Sequence, residues 1–421
     1  MIGRAAIVAV GSELLTPSRT ETNSLLITEQ LERFGIEVLY KSVVGDDRLE
    51  LAAAVRAALS RVDLLVCCGG LGPTDDDVTR ETVSEVLGRV LVEDERVAAK
   101  IEARFSSSGM QMPSINRRQA MVPSGARVID NAHGTAPGLW FEDAGRFVLL
   151  LPGPPREMRA MLAWSVEQLL APEAPRLSLI RCVIRITGRT ESRTEETMQP
   201  LYAGWAQQTT PISATILASL GHIELHLSAR AASRVQAQAA VDTAAHEVAE
   251  VLGLDAYSID GRSLEQVVGD LLLERGLRIA VAESCTGGLL ASRLTDVSGS
   301  SRYVERAVVA YANEAKVSLM GVSERLIAAH GAVCEPVALA MAEGIRAGAG
   351  VEVGVGVTGI AGPGGGSEEK PVGTVVVAVV AFGEARTKTF RFAGERDQVK
   401  FQATQATLDM VRRMLVSQPS E

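Results

Sequence analysis

The chain of 421 residues is long enough for two or three domains, and its 47% hydrophobic and 22% charged residues are typical of a globular protein. A net charge of −9 argues against broad, non-specific binding to nucleic acid, which needs a basic surface. The 5 cysteines show no zinc-type spacing and favour a reduced, cytoplasmic setting. No apolar run reaches the length of a membrane span, so we expect no membrane association.

Alternating strands and helices are predicted over residues 1–171. Short apolar runs such as RAAIVAVG are typical of strands, and segments such as TNSLLITEQLERFG show helical periodicity. This alternation predicts an α/β domain in which a parallel sheet carries helices on both faces. The segment APEAP interrupts the pattern and places the end of the domain near residue 171.

The segment GGLGPTDDDVT follows a predicted strand of this first domain and precedes a helix. Its glycines would let backbone N–H groups approach a phosphate, and its acids supply the oxygen ligands that divalent cations prefer. The candidate phosphate-binding residues are Gly69, Gly70, Gly72 and Thr74, and the candidate cation ligands are Asp75, Asp76 and Asp77. A plain turn with helix-capping aspartates explains the same residues equally well, and we expect at least one aspartate to be only a cap.

Residues 172–260 differ in composition and are predicted to form a small α+β connector domain. RCVIRITG, ISATILAS and HIELHLSAR are typical of strands, and VQAQAAVDTAAHEVAEVLG is typical of a helix. His222 and His226 alternate with apolar residues and have no evident third ligand, so we interpret them as the polar face of a half-buried strand. Residues 261–421 again alternate between strands and helices and predict a second layered α/β domain.

The stretch AVAESCTGG ends a predicted strand of this last domain with a candidate nucleophile, Ser284. A serine needs an adjacent base, and no histidine is suitably placed. Glu283 is the immediate neighbour, but adjacent residues on a strand point to opposite faces. Lys316, in YANEAK, follows a strand expected beside the first one, and burial would make its amine neutral. Tyr311 would relay or orient the proton, while Cys285 is a rival nucleophile because a thiol is intrinsically more reactive.

Three further features of this domain suit a phosphorylated amide substrate. The residues after Ser284 open a helix, whose N–H groups would stabilise an oxyanion. TGIAGPGGGSEEKPVGT is a long glycine-rich loop after a strand, which can wrap a phosphate or ribose, and GERDQVK brings Arg396 and Lys400 to a helix start. The structural explanation of the same pattern is an N-capping serine, a buried cysteine, a flexible loop and two merely solvated cations.

Several motifs of the first half together resemble the CinA family, whose amino-terminal domain is similar to the molybdopterin-binding domains of MogA and MoeA. These motifs are GSELL, GGLGPTDDDVT, HGTAPG and LLPGPPREM. The resemblance implies an ADP-ribose pyrophosphatase that uses Mg²⁺, Co²⁺ or a similar divalent cation. Glu21 stands where the family usually has an aspartate and is a further candidate cation ligand. The family's middle domain is likened to a KH fold, but the absence of a basic GXXG loop gives no reason to infer RNA binding.

The motifs of residues 261–421 closely resemble the carboxy-terminal CinA domain, which in free-standing form is nicotinamide mononucleotide deamidase. The resemblance implies hydrolysis of nicotinamide mononucleotide to nicotinic acid mononucleotide and ammonia, a step of pyridine nucleotide salvage that needs no cofactor. It also implies Ser284 as the nucleophile, with Lys316 and Tyr311 as its activating partners. The candidate substrate-binding residues are Thr286, Gly287, Gly288, Thr358, Gly359, Gly362, Lys370 and Arg396. Lys400 stands where the family often has an arginine.

Two alternatives belong to other functional classes. One is a protein that binds molybdopterin or a nucleotide without turnover, as the amino-terminal resemblance suggests. The other is a non-enzymatic partner in competence or the response to DNA damage, against which the intact set of serine, tyrosine and lysine argues. We expect the protein to be a homodimer, the commonest symmetric assembly of such proteins.

Overall fold

The computed structural model describes residues 1–175 and 177–417. Within these ranges the chain divides into two compact units, of which the first comprises residues 1–180 and 230–238 and the second the remainder. No helix within these ranges combines the length and the apolar character that crossing a bilayer requires.

The first unit is built on one large sheet with helices on both faces. Its elements are β1 (Arg4–Val10), α1 (Asn23–Glu32), β2 (Glu37–Val44), α2 (Arg48–Leu59), β3 (Leu64–Cys68), α3 (Thr79–Val86), β4 (Leu91–Glu93), α4 (Glu95–Ser107), β5 (Met121–Pro123), β6 (Arg127–Ile129), β7 (Gly138–Asp143), β8 (Arg146–Leu151) and α5 (Pro155–Ser165). The strand order in the sheet is β2-β1-β3-β8-β7-β6, and β4 pairs with β5 separately.

The predicted α/β fold is confirmed, but the sheet of the first unit is mixed rather than parallel. Strands β2, β1, β3 and β8 are parallel, whereas β7 and β6 run antiparallel to their neighbours. The reversal occurs at a tight turn in which both Ala144 and Gly145 have positive φ, the geometry that matches a two-residue hairpin to twisted strands. β3 is buried throughout because apolar clusters cover both faces of the sheet.

The second unit contains two sheets, apart from residues 178–180 and 230–238 of the connector, which group with the first unit. The elements of the connector are β9 (Ser178–Ile186), α6 (Glu191–Trp205), β10 (Ile212–Ser219), β11 (His222–Ala231), α7 (Arg234–Leu252) and β12 (Ala256–Ser258). Those that follow are α8 (Leu264–Glu274), β13 (Ile279–Glu283), α9 (Leu289–Thr295), β14 (Val304–Val309), α10 (Asn313–Met320), α11 (Glu324–His330), α12 (Glu335–Ala349), β15 (Val353–Gly359), β16 (Thr374–Ala381), β17 (Glu384–Arg391) and α13 (Arg396–Val416).

The connector sheet has the order β10-β11-β9-β12, and the other sheet has the order β14-β13-β15-β16-β17. In the latter, β14, β13 and β15 are parallel, while β16 and β17 are successive antiparallel strands. A second tight turn, with positive φ at Phe382 and Gly383, joins these last two strands. Strands β13 and β16 are fully buried because helices pack on both faces, whereas β17 is an exposed edge.

Candidate active site

The carboxyl ends of three parallel strands bring the candidate catalytic residues to one edge of the sheet. Glu283, the last residue of β13, pairs with Val309 of β14 on one side and with Val357 of β15 on the other. The Ser284 N–H donates to the carbonyl of Val357 at 2.9 Å, and the Ala310 N–H donates to the carbonyl of Glu283 at 2.8 Å. Ser284 and Ala310 therefore leave neighbouring strands at the same level.

Glu283, rather than Ser284, caps the following helix. The buried carboxylate of Glu283 accepts hydrogen bonds from the N–H groups of Gly288, Leu290 and Ala291, at 3.1, 3.1 and 2.8 Å. These N–H groups at the start of α9 also favour a negative charge. The Ser284 hydroxyl makes no hydrogen bond with any residue that the structure describes. Its hydroxyl is therefore free for chemistry, and the interpretation of Ser284 as an N-cap is wrong.

The backbone N–H groups that remain for an oxyanion are those of Cys285 and Thr286, which precede the predicted substrate-binding residues Gly287 and Gly288. Gly287 and Gly288 turn the chain with φ values of 62° and 92°, which favour glycine. The Gly287 N–H donates to the carbonyl of Ser284 at 3.1 Å, and that of Gly288 is taken by the capping carboxylate. Within the described ranges, the N–H groups of Cys285 and Thr286 donate to no other residue, although the Cys285 N–H lies against its own sulfur and acts to lower the pKa of that thiol. The buried Thr286 hydroxyl also lacks a hydrogen-bond partner.

Lys316 lies in the first turns of α10 with its side chain only 2% exposed. Its Nζ donates to the carbonyls of Ala310 and Tyr311, at 3.0 and 3.1 Å. Burial lowers the pKa of Lys316, although the negative potentials of Cys285 and Glu314 oppose that effect. A neutral amine has two N–H donors and one lone pair, so the two carbonyls can satisfy both donors of that form.

Lys316 is placed near Ser284 through its contact with Ala310, which follows β14 at the level where Ser284 follows β13. Adjacent strands are separated by about 4.8 Å, and Ala310, which accepts from Lys316, leaves β14 level with Ser284. In the described chain no hydrogen bond joins Ser284 Oγ to Lys316 Nζ. Catalytic hydrogen bonds are often long before substrate binds, so this geometry is compatible with proton transfer in a substrate complex.

Cys285 is buried in the core cluster that includes Leu290 and Val357. A Cβ on Gly359 would lie 2.9 Å from the Cys285 sulfur, so the thiol is tightly packed. Burial raises the pKa of Cys285 to about 12. Because the thiolate is the reactive form, this environment disfavours Cys285 as a nucleophile at neutral pH.

The Tyr311 hydroxyl contacts an arginine rather than the serine or the lysine. The Tyr311 side chain is 59% exposed, and its hydroxyl accepts a hydrogen bond of 2.6 Å from Arg396. The same guanidinium donates to the carbonyl of Gly362 at 2.6 Å. Arg396 thus ties the end of β14 to the glycine-rich loop. The proton relay through Tyr311 stays a prediction, since its contact with Lys316 is made by the backbone carbonyl.

Two other predicted substrate-binding side chains hold the glycine-rich loop in place. The buried Thr358 hydroxyl donates to the carbonyl of Ala332 at 2.9 Å, and Lys370 Nζ donates to that of His330 at 2.8 Å. Lys400 lies close to the serine turn, because a Cβ on Gly287 would be 3.5 Å from its Nζ. The cationic helix start had indicated Lys400 as a group that could anchor a phosphate, and its place beside the serine turn is compatible with that prediction.

The lowered pKa of Lys316 predicts a specific dependence of stability on pH. Between that pKa and the ordinary value of 10.5, the folded chain binds fewer protons at Lys316 than the unfolded chain does. The free energy of unfolding contributed by this site therefore rises with pH in that window and is constant below it. We expect the melting temperature of the wild type, relative to Lys316→Met, to increase as pH approaches 10.5. Lys41→Met, at an exposed lysine, is the control. If the difference in melting temperature between the wild type and Lys41→Met grew equally with pH, this assignment would be contradicted.

The first unit contains a cavity of about 840 Å³ at the carboxyl ends of its strands. The predicted phosphate-binding glycines line it, and Gly69 and Gly70 have φ values of 114° and 65°. A Cβ on Gly69 would collide with the carbonyl of Val10, and one on Gly70 with the hydroxyl of Thr79. These positions therefore require glycine, and they keep the backbone accessible from the cavity.

Two of the candidate cation ligands are engaged in local hydrogen bonds. The Asp77 carboxylate accepts from the N–H and the hydroxyl of Thr74, at 2.9 and 2.5 Å, and so closes the loop. Glu21 accepts from the N–H and the hydroxyl of Ser24, at 2.8 and 2.5 Å, at the start of α1. Both contacts are of the kind that acids make at turns and helix starts.

The candidate cation ligands do not converge. Asp75 is fully exposed, and its carboxylate lies 3.5 Å from Arg118. Asp76 lines the cavity, and the nearby Thr74 hydroxyl and its own backbone N–H lower its pKa. Across residues 1–175 and 177–417, no three His, Cys, Asp or Glu side chains are grouped as a metal ion would need. The residues as arranged do not fit a divalent cation, so the cation and the metal-dependent reaction remain predictions.

Further polar residues of this cavity were quoted in the sequence motifs but given no role. Glu13 of GSELL and Glu157 of LLPGPPREM line the cavity, together with Asp46 and Asn23. The Asn23 amide donates to the carbonyl of Gly153, while its buried Oδ1 has no hydrogen-bond partner. Motif membership was the available signal, but only the folded chain shows that these segments meet.

Comparison with known proteins assigns both units. Residues 261–415 match the family described as "CinA C-terminal domain", and residues 6–172 match the "Probable molybdopterin binding domain". A CinA-like protein of Koribacter versatilis is 45% identical over 98% of this chain and 100% of its own length. The chain belongs to the CinA family. A CinA-like protein of Acidobacterium capsulatum is 44% identical over 98% of the chain and 100% of its own length.

Solved structures cover smaller parts of this CinA chain. The protein CinA from Thermoplasma acidophilum is 36% identical, covers 39% of this chain and 97% of its own, and gives a TM-score of 0.37. The family assignment therefore depends on the full-length sequence relatives.

Proposed function

We propose that this CinA protein hydrolyses the carboxamide of nicotinamide mononucleotide through Ser284 and Lys316. The observation that carries the proposal is the environment of Lys316, a buried amine that donates to two carbonyls at the end of β14 and whose pKa is lowered by burial. An amide is a demanding substrate, because its leaving group must be protonated as the C–N bond breaks. A lysine that is neutral before attack and charged after it supplies both a base and an acid.

In the first half of the reaction, neutral Lys316 accepts the hydroxyl proton of Ser284 while Oγ forms a bond with the carboxamide carbon. The negative charge on the former carbonyl oxygen is stabilised by the backbone N–H groups of Cys285 and Thr286, which donate to no other residue of this turn. The C–N bond then breaks, and the ammonium of Lys316 gives its proton to the departing nitrogen. The products of this half are ammonia and an acyl ester on Ser284.

At the start of the second half Lys316 is neutral again. Water attacks the ester carbon and gives a proton to Lys316. The bond between the carbon and Ser284 Oγ breaks, and Oγ recovers its proton from the lysine. The product is the pyridine carboxylic acid, which ionises at neutral pH. Every proton in this scheme passes through Lys316, and the reaction consumes only water.

The cationic groups around the edge suit a substrate with a phosphate. Arg396 and Lys400 belong to the first two turns of α13, next to the glycine-rich loop and the serine turn respectively. Arg396 can present two donors to a phosphate, whereas Lys400 acts as a compact point charge. We assign the Tyr311 hydroxyl the role of holding Arg396 in position.

The direct test is to incubate the full chain with nicotinamide mononucleotide and to measure ammonia and nicotinic acid mononucleotide, with and without a chelator. We expect equal amounts of both products and no effect of the chelator. Absence of either product under conditions in which the protein is folded would refute the proposal. Free nicotinamide is the matched control substrate, and we expect it to react much more slowly because it lacks the phosphate.

Tyr311→Phe separates a positioning role from a proton relay. If the hydroxyl only holds Arg396, we expect kcat to change less than about threefold and KM for nicotinamide mononucleotide to rise, because one hydrogen bond is lost. A relay would instead lower kcat by about 10²-fold or more, with KM unchanged. Steady-state kinetics of the variant and the wild type distinguish the two results.

The cavity of the first unit supports a second candidate function, binding of a phosphorylated ligand such as ADP-ribose or molybdopterin. The supporting observation is the glycine-lined floor at the carboxyl edge of the sheet. Calorimetric titration with ADP-ribose, with and without Mg²⁺, together with an assay for AMP release, tests it. Binding without release would favour a binding protein, and release that a chelator abolishes would favour the pyrophosphatase.

A further inference from the structure

The second unit contains another cavity, of about 750 Å³, on the side of the sheet covered by α13. The wall on one side is the edge strand β17, and the other walls are α13 and loops of the connector. The residues that line it include Arg386, Lys388, Phe390, Phe392, Ala406 and Met410. Its volume lies within the range of about 300–1,000 Å³ typical of pockets for small molecules.

One wall of this cavity is aromatic. Phe390, near the end of β17, and Phe392, just beyond it, lie two residues apart, and their rings are stacked, with centroids 5.3 Å apart and an angle of 11° between the planes. Met410 and Ala406 continue the apolar surface on α13. A flat aromatic ring packs well against such a surface, because offset stacking and contact with a thioether are both favourable.

The acids of the cavity are already neutralised. Asp255 accepts hydrogen bonds from Arg189 at 2.6 Å and from Arg413 at 2.8 Å. Asp409 accepts from Arg412 at 2.6 Å and from Arg413 at 2.7 Å. A cationic ligand would have to displace these pairs, so the carboxylates do not favour one.

The cations on β17 are, in contrast, available to a ligand. Lys388 Nζ lies 5.0 Å from the centre of the Phe390 ring, and among the described residues it has no carboxylate partner. Among the described residues, the one carboxylate partner of Arg386 is Glu384 of its own strand, at 3.5 Å, and both side chains are substantially exposed. Such exposed pairs contribute little, so an incoming anion can replace Glu384.

We propose that this cavity binds a small aromatic anion of the size of a nucleoside monophosphate. The flat ring lies against Phe390 and Phe392, and the phosphate or carboxylate lies between Lys388 and Arg386. The site shares no residue with the Ser284 edge, so it stands independently of the proposed amidase activity.

Isothermal titration of the full chain with AMP, adenosine, ribose 5-phosphate and 1-naphthyl phosphate tests the ligand class. We expect AMP to bind at least about tenfold more tightly than adenosine or ribose 5-phosphate, each of which lacks one of the two features. Equal binding of 1-naphthyl phosphate would show that any aromatic phosphate is accepted, and weaker binding would show selection for a nucleotide. Failure of both AMP and 1-naphthyl phosphate to bind at millimolar concentration would overturn the proposal.

Variants locate the binding. Lys388→Gln is expected to weaken AMP binding about tenfold. Ala406 is half-buried and lines the cavity, so Ala406→Trp is expected to fill the cavity and abolish binding. Arg391→Gln is the matched control, because it removes the same charge from the same strand and does not line the cavity. Circular dichroism verifies the fold of each variant. Equal AMP affinity in Lys388→Gln and Arg391→Gln would overturn the assignment.

Discussion

Replacing Ser284 with alanine is expected to lower kcat for release of ammonia from nicotinamide mononucleotide by at least about 10⁴-fold. The reason is that the hydroxyl is the atom that attacks the carboxamide, and the turn offers no substitute for it. KM should change little, since the backbone donors and the cationic residues of α13 remain. Ammonia release under saturating substrate measures the loss.

The control for this experiment is Cys285→Ala. The thiol is buried, its pKa is raised to about 12, and it packs against Gly359, so its removal should leave kcat within about tenfold of the wild type. Thermal melting of both variants distinguishes lost chemistry from lost structure. The reverse result, with activity lost only in Cys285→Ala, would make the cysteine the nucleophile.

Replacing Lys316 with methionine is expected to lower kcat by at least about 10³-fold, because one amine both activates the serine and protonates the leaving nitrogen. Lys316→Arg should be equally inactive, since a guanidinium does not release its proton at accessible pH. In the wild type, kcat/KM should rise with pH toward the lowered pKa of Lys316 and then level off, because only the neutral amine accepts a proton.

Lys41→Met, at an exposed lysine of the first unit, is the matched control and should leave both kcat and the pH profile unchanged. Activity retained in Lys316→Arg would contradict the proposal, because it would mean that positive charge at this position is sufficient. A wild-type profile of kcat/KM that shows no rise with pH anywhere below 10.5, at the pH values where the chain is folded, would contradict it as well.

The sequence predicted the layered α/β architecture because hydrophobic periodicity and strand–helix alternation are local properties. It did not predict the hairpins at Ala144–Gly145 and Phe382–Gly383, although a residue followed by glycine between two apolar runs was the available signal. Helix α6 was also absent from the prediction, because Glu191–Trp205 contains an internal proline and is rich in polar residues.

At the candidate site, the sequence could indicate Ser284 and Lys316 but not the arrangement of their neighbours. That Glu283 caps α9 depends on its side chain turning back beneath the serine turn, which no spacing rule conveys. The contact of Tyr311 with Arg396 joins residues 85 positions apart in the chain. The acids of GGLGPTDDDVT were adjacent in sequence, yet Asp76 and Asp77 line the cavity while Asp75 is fully exposed beside Arg118.

The pair of antiparallel strands β16 and β17 determines where the final helix can start. β15 ends at one edge of the sheet, β16 runs back from that edge, and β17 returns to it. The pairing of Gly359 with Val375 and of Thr374 with Arg391 shows that the end of β15, the start of β16 and the end of β17 lie at the same edge. The last helix can therefore begin beside the nucleophile and deliver two positive charges there. A single extra strand would have released the chain at the opposite rim, a full strand length from the chemistry. Only an even number of strands between β15 and the last helix keeps that helix at this rim. Chimeras with one strand added or removed are expected to move its start to the opposite rim.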